Sequence, residues 1–315
     1  MEEDGFKLVQ SKRSSKKHTK KQHRALAKEC VSQDVDIKDY KQIIVNKKDF
    51  CERIIKSAND FFHSEFFLKF TNDCLVKHQL VDLVVDNTDQ TNRQIPRFTS
   101  TAVISRINCL GLGSFTSSKE AEHQLVFLKC LSKLLGSDNC NENTKVTVYD
   151  PIHTKSEEEI IRELGFDYNL KRTDSEEQYS IAKEENSGTL FYLPHCPKQL
   201  TNNILWSNWN PDILGSNPGK DRDDRLCGLY ILGNSFERIT TSLPDRLLRE
   251  NAEYILLASK FIFETKVCNC YKYSDIFNDT SLHSFPIDKL PSPTDAIWGV
   301  ATEKGRPRYL ENCVD

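Results

Sequence analysis

Cys109-Leu110-Gly111-Leu112-Gly113-Ser114-Phe115-Thr116 is the stretch on which the reading of the fold turns. It closes residues 103–112, which read as a strand. It leads into residues 118–135, where apolar side chains recur at helical spacing. Glycines between a strand and a helix let the backbone turn tightly and let a ligand come close. The helix N-terminus beyond them offers free N–H groups and the positive end of a dipole. The third glycine of a G-x-G-x-x-G turn is replaced by Thr116. Ser114, Thr116, Ser117 and Ser118 add hydroxyl donors suited to a phosphate or a carboxylate. A purely structural tight turn would use the same glycines.

Outward from this turn, strands and helices alternate. Residues 145–149, 189–193 and 226–232 read as strands, and 260–264 as a strand closing the sheet. Residues 156–164, 198–209 and 243–259 read as helices, the last with Pro244 in its first turn. Ser117…Glu120, Ser156…Glu159 and Ser242…Asp245 have capping-box spacing, in which the serine oxygen and the acid each accept an otherwise unpaired N–H. This alternation predicts an α/β protein: a Rossmann-like three-layer core with a mainly parallel sheet.

Upstream, residues 46–78 read as one amphipathic helix carrying Phe61, Phe62, Phe66, Phe67 and Phe70; residues 80–87 read as a strand and 88–98 as a loop. Residues 210–225 are rich in Gly, Pro and Asp and read as a surface loop. The expected organisation is a disordered basic tail at 1–35, a helical segment at 36–98, the Rossmann-like domain at 99–290 and a C-terminal tail at 291–315.

The net charge of −3 is uneven. Lys12, Arg13, Lys16, Lys17, Lys20, Lys21, Arg24 and Lys28 stand in a stretch without acids, so the other residues carry −11. Such a tail buries too little surface to order itself. It reads as a nuclear-import signal, a nucleic-acid contact or a solvated arm. Nucleic acid, if bound at all, is therefore expected at the tail alone. No apolar stretch is long enough for a membrane helix and no signal-peptide core follows Met1, so no membrane partner and a cytoplasmic and nuclear location are expected. The eleven cysteines include no Cys-x-x-Cys, and the closest pair is Cys268 and Cys270. They read as reduced thiols, with no zinc site.

Four strand ends supply the candidate ligand-binding residues. Gly111, Gly113, Ser114 and Ser117 belong to the first turn. Asp150 ends the second strand in Val148-Tyr149-Asp150-Pro151, where an acid accepts from ribose hydroxyls or simply forms an Asp-Pro turn. His195 ends the third in Pro194-His195-Cys196-Pro197, and Asn234 and Ser235 end the fourth. Ligands of open α/β sheets bind outside the carboxyl ends of the strands, so these residues should meet along one edge. Neighbours on an extended backbone diverge, so His195 does not serve Cys196 as a base, and no catalytic constellation is identified.

These blocks, with Leu190-Phe191-Tyr192-Leu193, Asn203-Ile204-Leu205-Trp206-Ser207-Asn208-Trp209 and Phe277-Asn278-Asp279-Thr280-Ser281-Leu282-His283-Ser284-Phe285-Pro286, resemble the sensitivity-to-red-light-reduced family over about residues 100–290. Asp4-Gly5-Phe6-Lys7-Leu8-Val9 is a weaker match. Ser284 stands where many relatives carry tryptophan. The resemblance implies a Rossmann-like domain and a regulatory role in circadian timing and heme biosynthesis. It implies no catalytic residues.

Three functions remain open. One is a regulatory protein that binds a nucleotide-like small molecule. The second is a methyltransferase-like enzyme, whose cofactor would be S-adenosylmethionine. The third is an interaction module with protein partners and no ligand. An axial heme ligand from His195 or Cys196 is a further reading.

Overall fold

The computed structural model describes residues 46–84, 97–101, 104–136, 144–168, 179, 181, 188–216 and 228–300. The basic tail, residues 88–96 of the loop expected at 88–98 and most of 210–225 lie outside the described residues, and the last two residues of that expected loop, 97 and 98, instead begin a strand.

Seven strands form the central sheet: β3 (Ile104–Leu110), β4 (Lys145–Tyr149), β5 (Asp167–Tyr168), β6 (Gly188–Tyr192), β7 (Leu229–Asn234), β8 (Phe263–Lys266) and β9 (Thr280–Ser284). Their order is β5-β4-β3-β6-β7-β9-β8. β3 pairs in parallel with both β4 and β6, and β7 continues the parallel set beside β6. The direction of growth therefore reverses between β3 and β6. β9 is antiparallel and inserts between β7 and β8. The α/β class and the mainly parallel sheet are as expected. The expected closing strand is β8, displaced by β9, whose Thr-Ser-Leu-His-Ser sequence carries little strand signal.

Helices cover both faces. Tyr192 faces one side of the sheet and packs on Phe127 of α3 (Lys119–Leu135). Phe61 of α1 (Lys47–Phe62) and Phe66 and Phe67 of α2 (Glu65–Phe70) join Phe127 and Phe277 in the same cluster. α4 (Lys155–Glu163) follows β4. Phe191 and Leu193 alternate to the other side. They pack with Ile204 and Leu205 of α5 (Lys198–Ser207), Phe236 of α7 (Phe236–Ser242), Leu248 of α8 (Asp245–Asn251) and Ile255 of α9 (Glu253–Ala258). Between α5 and β7 a short α6 (Pro211–Leu214) is capped by Asn210. Residues 291–300, within the expected C-terminal tail, lie against this second face: the Trp209 indole donates to the Ile297 carbonyl at 2.8 Å, and Trp298 packs beside it.

Several boundaries differ from expectation. Residues 46–78 break into α1, α2 and a π-helical turn (Thr71–Val76), because Ser64 caps α2 by accepting from Phe67 N at 3.2 Å. β1 (Val81–Val84) pairs with β2 (Arg97–Ser100) in a separate two-stranded sheet. Residues 243–259 break at Ala252. The buried Asn202 accepts from Tyr254 N at 2.9 Å and so caps α9 from a distant part of the chain. The expected serine caps shift as well. Ser118, not Ser117, accepts from Ala121 N, Thr154 rather than Ser156 opens α4, and the position before α8 is Pro244 without a side-chain cap. Among the described residues no helix is long and apolar enough to cross a membrane.

Candidate functional site

The carboxyl ends of β3, β4, β6 and β7 bring the candidate residues to one edge. Gly111 and Gly113 have φ of 67° and 79°, the left-handed region in which a side chain is strained. Gly111 has a second requirement. A Cβ there would stand 2.5 Å from Sγ of Cys196, which arrives from the end of β6 and donates to the Leu110 carbonyl at 3.1 Å.

Asp150, 6% exposed, closes the turn from the β4 side. One of its oxygens accepts from Gly113 N at 2.8 Å and the other from Ile152 N at 3.0 Å. His153, absent from the sequence-based set, holds the next peptide, on the other side of the Gly113 Cα: its Nε2 lies 3.0 Å from the Gly113 carbonyl. That partner assigns the proton to Nε2 and leaves Nδ1 a buried acceptor with no partner among the described residues.

Glu157 was also not expected, although Thr154…Glu157 has capping-box spacing in the sequence. It is fully buried. One oxygen accepts from Ser114 Oγ at 2.8 Å, Thr116 Oγ1 at 2.9 Å and Thr116 N at 3.1 Å. The other accepts from Thr154 N at 2.9 Å and Thr154 Oγ1 at 3.0 Å. Burial pushes this carboxyl up, but the hydrogen bonds from Thr154, Ser114 and Thr116 outweigh it and leave it below its ordinary value. The hydroxyl-rich turn thus does hold a carboxylate, and that carboxylate is the chain's own. Ser117 bonds only Ser114, donating from its Oγ to Ser114 Oγ at 2.7 Å and to the Ser114 carbonyl at 3.4 Å.

His195 stands at the tip of β6 with φ of 52°, a conformation uncommon for a residue with a side chain. It is exposed, and its Nε2 bonds the Ile276 carbonyl at 2.8 Å. Cys196 turns inward as expected of its neighbour. Burial, followed by the Asp150 charge, pushes its thiol up to about 12. A thiol protonated at neutral pH suits neither a nucleophile nor a heme thiolate ligand. Asn234 bridges β7 to β6 by donating to the Cys196 carbonyl at 2.7 Å. Ser235 faces away from this group. It caps α7 by accepting from Arg238 N at 3.1 Å and lines a separate cleft of about 400 Å³ with Arg238, Lys266, Asp279 and Ser281. Among the described residues no three His, Cys, Asp or Glu side chains are placed to hold a metal ion.

The edge therefore joins Gly111, Gly113, Ser114, Asp150, His153 and Glu157 in one network, with His195 and Asn234 beside it through Cys196. A family model for the SRR1 domain matches residues 79–284, the span that contains every one of these side chains. The chain belongs to the SRR1 family. SRR1-like proteins of Drosophila melanogaster and Mus musculus are 33% and 34% identical to it over 196 and 152 residues. Those matches cover 62% and 48% of this chain, and 60% and 52% of the relatives. The protein SENSITIVITY TO RED LIGHT REDUCED 1 of Arabidopsis thaliana is 26% identical over 182 residues, or 56% of each chain. The chain thus spans roughly half to three fifths of the length of these relatives. No solved structure matches it.

Proposed function

We propose that this SRR1-family chain is a regulatory protein whose Rossmann-like core binds a nucleoside-bearing small molecule that lacks phosphate. The observation that carries the reading is the glycine turn, with Asp150 and Glu157 closed on it, seated where the strand order reverses between β3 and β6. Open α/β sheets bind ligands at that point. The same two carboxylates select the ligand. A phosphate there would meet two buried negative charges and find the donors of the turn already engaged. A ligand with hydroxyls and a positive centre meets neither obstacle. Each Asp150 oxygen accepts a single N–H and keeps a lone pair for a ribose hydroxyl.

Numbered from β3, the strand order is 3-2-1-4-5-7-6 with the seventh strand antiparallel. Methyltransferases that use S-adenosylmethionine share this order, and their cofactor is a nucleoside with a sulfonium charge and no phosphate. That observation favours a methyltransferase-like enzyme as the second reading. It is an analogy of fold, and fold alone does not give function. We propose that this regulatory role serves circadian timing and heme biosynthesis; what supports it is the resemblance to the sensitivity-to-red-light-reduced family. The protein works in cytoplasm and nucleus with protein partners, and the basic stretch at 12–28 serves import.

A thermal-shift comparison of the full chain with S-adenosylmethionine, S-adenosylhomocysteine, adenosine, ATP, NAD and heme tests the reading. The adenosyl sulfur compounds should raise the melting temperature by roughly 5–10 °C at a hundred times Kd, since that occupancy adds about 2.7 kcal/mol. ATP, NAD and heme should leave it unchanged, and Asp150→Asn and Gly113→Val should abolish the response. No response to any ligand would shift the function to a pure interaction module. Conversion of S-adenosylmethionine to S-adenosylhomocysteine would select the enzyme over the binding protein.

A further inference from the structure

The cleft of about 400 Å³ that Ser235 lines opens between α7, the end of β8 and the start of β9. That volume is in the range of small-molecule sites. β9 stands three strand spacings from β3, through β7 and β6. At ~4.8 Å each this is roughly 14 Å, so a ligand of the cleft is distinct from a ligand of the glycine turn.

Strand register places the floor of the cleft. Ser281 lies opposite Lys266 and His283 opposite Glu264, so the four side chains share one face of the sheet. The His283 ring stacks on Phe236 of α7 with centroids 4.0 Å apart, and Glu264 accepts from Glu237 N at 3.0 Å. That face is therefore the one α7 covers. Ser281 is 0% exposed, and its hydroxyl has no partner among the described residues. A buried hydroxyl left unpaired is costly, and Ser281 lines the cleft, where a ligand can reach it.

The charges around this hydroxyl are already matched. Lys266 meets Glu237 at 2.7 Å, and Arg238 meets Asp279. Ser235 N donates to the Asp279 carbonyl at 2.8 Å and helps to hold that residue at a φ of 56°. A charged ligand would set a like charge against one member of each pair it approached. Neutral hydrogen-bonding groups remain open: the Ser281 hydroxyl and the amides of Asn269 and Asn278, which have no side-chain partner among the described residues. Amide, carboxylate and guanidinium planes each present two adjacent polar atoms, which match two neighbouring hydroxyls. Val267 alone among the lining side chains is apolar, so the walls do not suit an apolar ligand.

We propose that the cleft between α7, β8 and β9 binds a neutral polyhydroxylated ligand, a mono- or disaccharide, with Ser281 its innermost contact. Both ion pairs stay closed when it binds, and its hydroxyls donate and accept at once.

Saturation-transfer NMR of the full chain tests this with D-glucose, D-galactose, D-mannose, maltose and lactose, beside the amino sugar and the 6-phosphate of each hexose. At least one neutral sugar should bind saturably with a millimolar or lower Kd. The amino sugars and 6-phosphates should bind roughly tenfold more weakly or worse. Ser281→Ala should raise the Kd of the best neutral sugar roughly three- to tenfold, and its melting temperature should hold or rise, because an unpaired hydroxyl is removed. Asn278→Ala, at a half-buried position, should raise the same Kd. Hydrogen–deuterium exchange with that sugar should show protection at 266–269 and 278–281 and none at 111–118. Five neutral sugars without saturable binding would overturn the proposal. So would charged sugars that bind as well as neutral ones, a Ser281→Ala chain with wild-type Kd or a lowered melting temperature, an unchanged Kd in Asn278→Ala, or protection at 111–118 instead of the cleft.

Discussion

Replacing Glu157 by alanine should unlatch the glycine turn, and the structure sets the size of the loss. The buried carboxylate accepts five hydrogen bonds, three from hydroxyls and two from backbone N–H groups. The hydroxyls of Ser114, Thr116 and Thr154 rotate to other acceptors. The N–H groups of Thr116, half-buried, and Thr154, exposed, do not, and each hydrogen bond lost to the charged acceptor costs ~1–2.5 kcal/mol. Glu157→Ala should therefore destabilise the protein by about 2–5 kcal/mol. Glu157→Gln keeps one oxygen for the Ser114 and Thr116 donors but turns its amide toward Thr154 N, so it should lose about half as much. Urea unfolding followed by far-UV circular dichroism reads both as a lower midpoint at constant slope. The pH dependence carries a sign. The carboxyl lies below its ordinary value in the folded state, so its contribution is present above the unfolded value near 4.5 and is lost as pH falls through the folded one. The gap between wild type and Glu157→Gln should be widest above pH 4.5 and shrink below it. A Glu157→Ala chain within about 1 kcal/mol of wild type at pH 7 would refute the latch, since a single bond lost to the charged acceptor already costs that much.

Other positions test neighbouring parts of the same argument. Gly111→Ala places a Cβ 2.5 Å from the Cys196 sulfur at a φ of 67°, and should cost about 1–3 kcal/mol, part of which Cys196→Ala restores in a double-mutant cycle. Independent, additive effects would contradict the close approach. His78 is buried between Ser284 and Thr265, and burial lowers it to about 3. Its neutral form stabilises the fold above the ordinary value of 6.5, and that contribution is lost as pH falls from there toward 3, so His78→Gln should flatten the acid side of the stability profile. Equal slopes for the two proteins between pH 6.5 and 4 would contradict this. Asn208→Ala removes bonds to Ile181 N and to the Tyr179 and Ile204 carbonyls, and should lower stability by about 2–4 kcal/mol in the same urea titration. A loss under about 1 kcal/mol would mean that those groups find other partners.

What the sequence disclosed follows the range of the forces involved. β3, the glycine turn and α3 are legible because strand alternation, a glycine pair and helical spacing are local signals. Asp150 is legible because it ends a strand at the turn. Glu157 is harder to read: Thr154…Glu157 and Ser156…Glu159 satisfy the same capping rule. What distinguishes them is the donors from Ser114 and Thr116, some forty residues upstream in the chain and brought near only by the β3–β4 pairing. His153 is hidden for the same reason, since its partner is the Gly113 carbonyl. The break at Ala252 depends on Asn202 from another helix, and β9 depends on the edge that β7 offers it. Ser235 reads like its neighbour Asn234 in sequence. The strand ends between them, however, and its side chain is committed to capping α7.

The most direct test of the central claim is hydrogen–deuterium exchange of the full chain with and without saturating S-adenosylhomocysteine. The account predicts added protection confined to the turn at 111–118, the β4–α4 connection at 150–157 and the tip of β6 at 194–197, with the cleft at 266–281 unchanged. Unaltered exchange along that edge, or protection appearing only in the cleft, would contradict it.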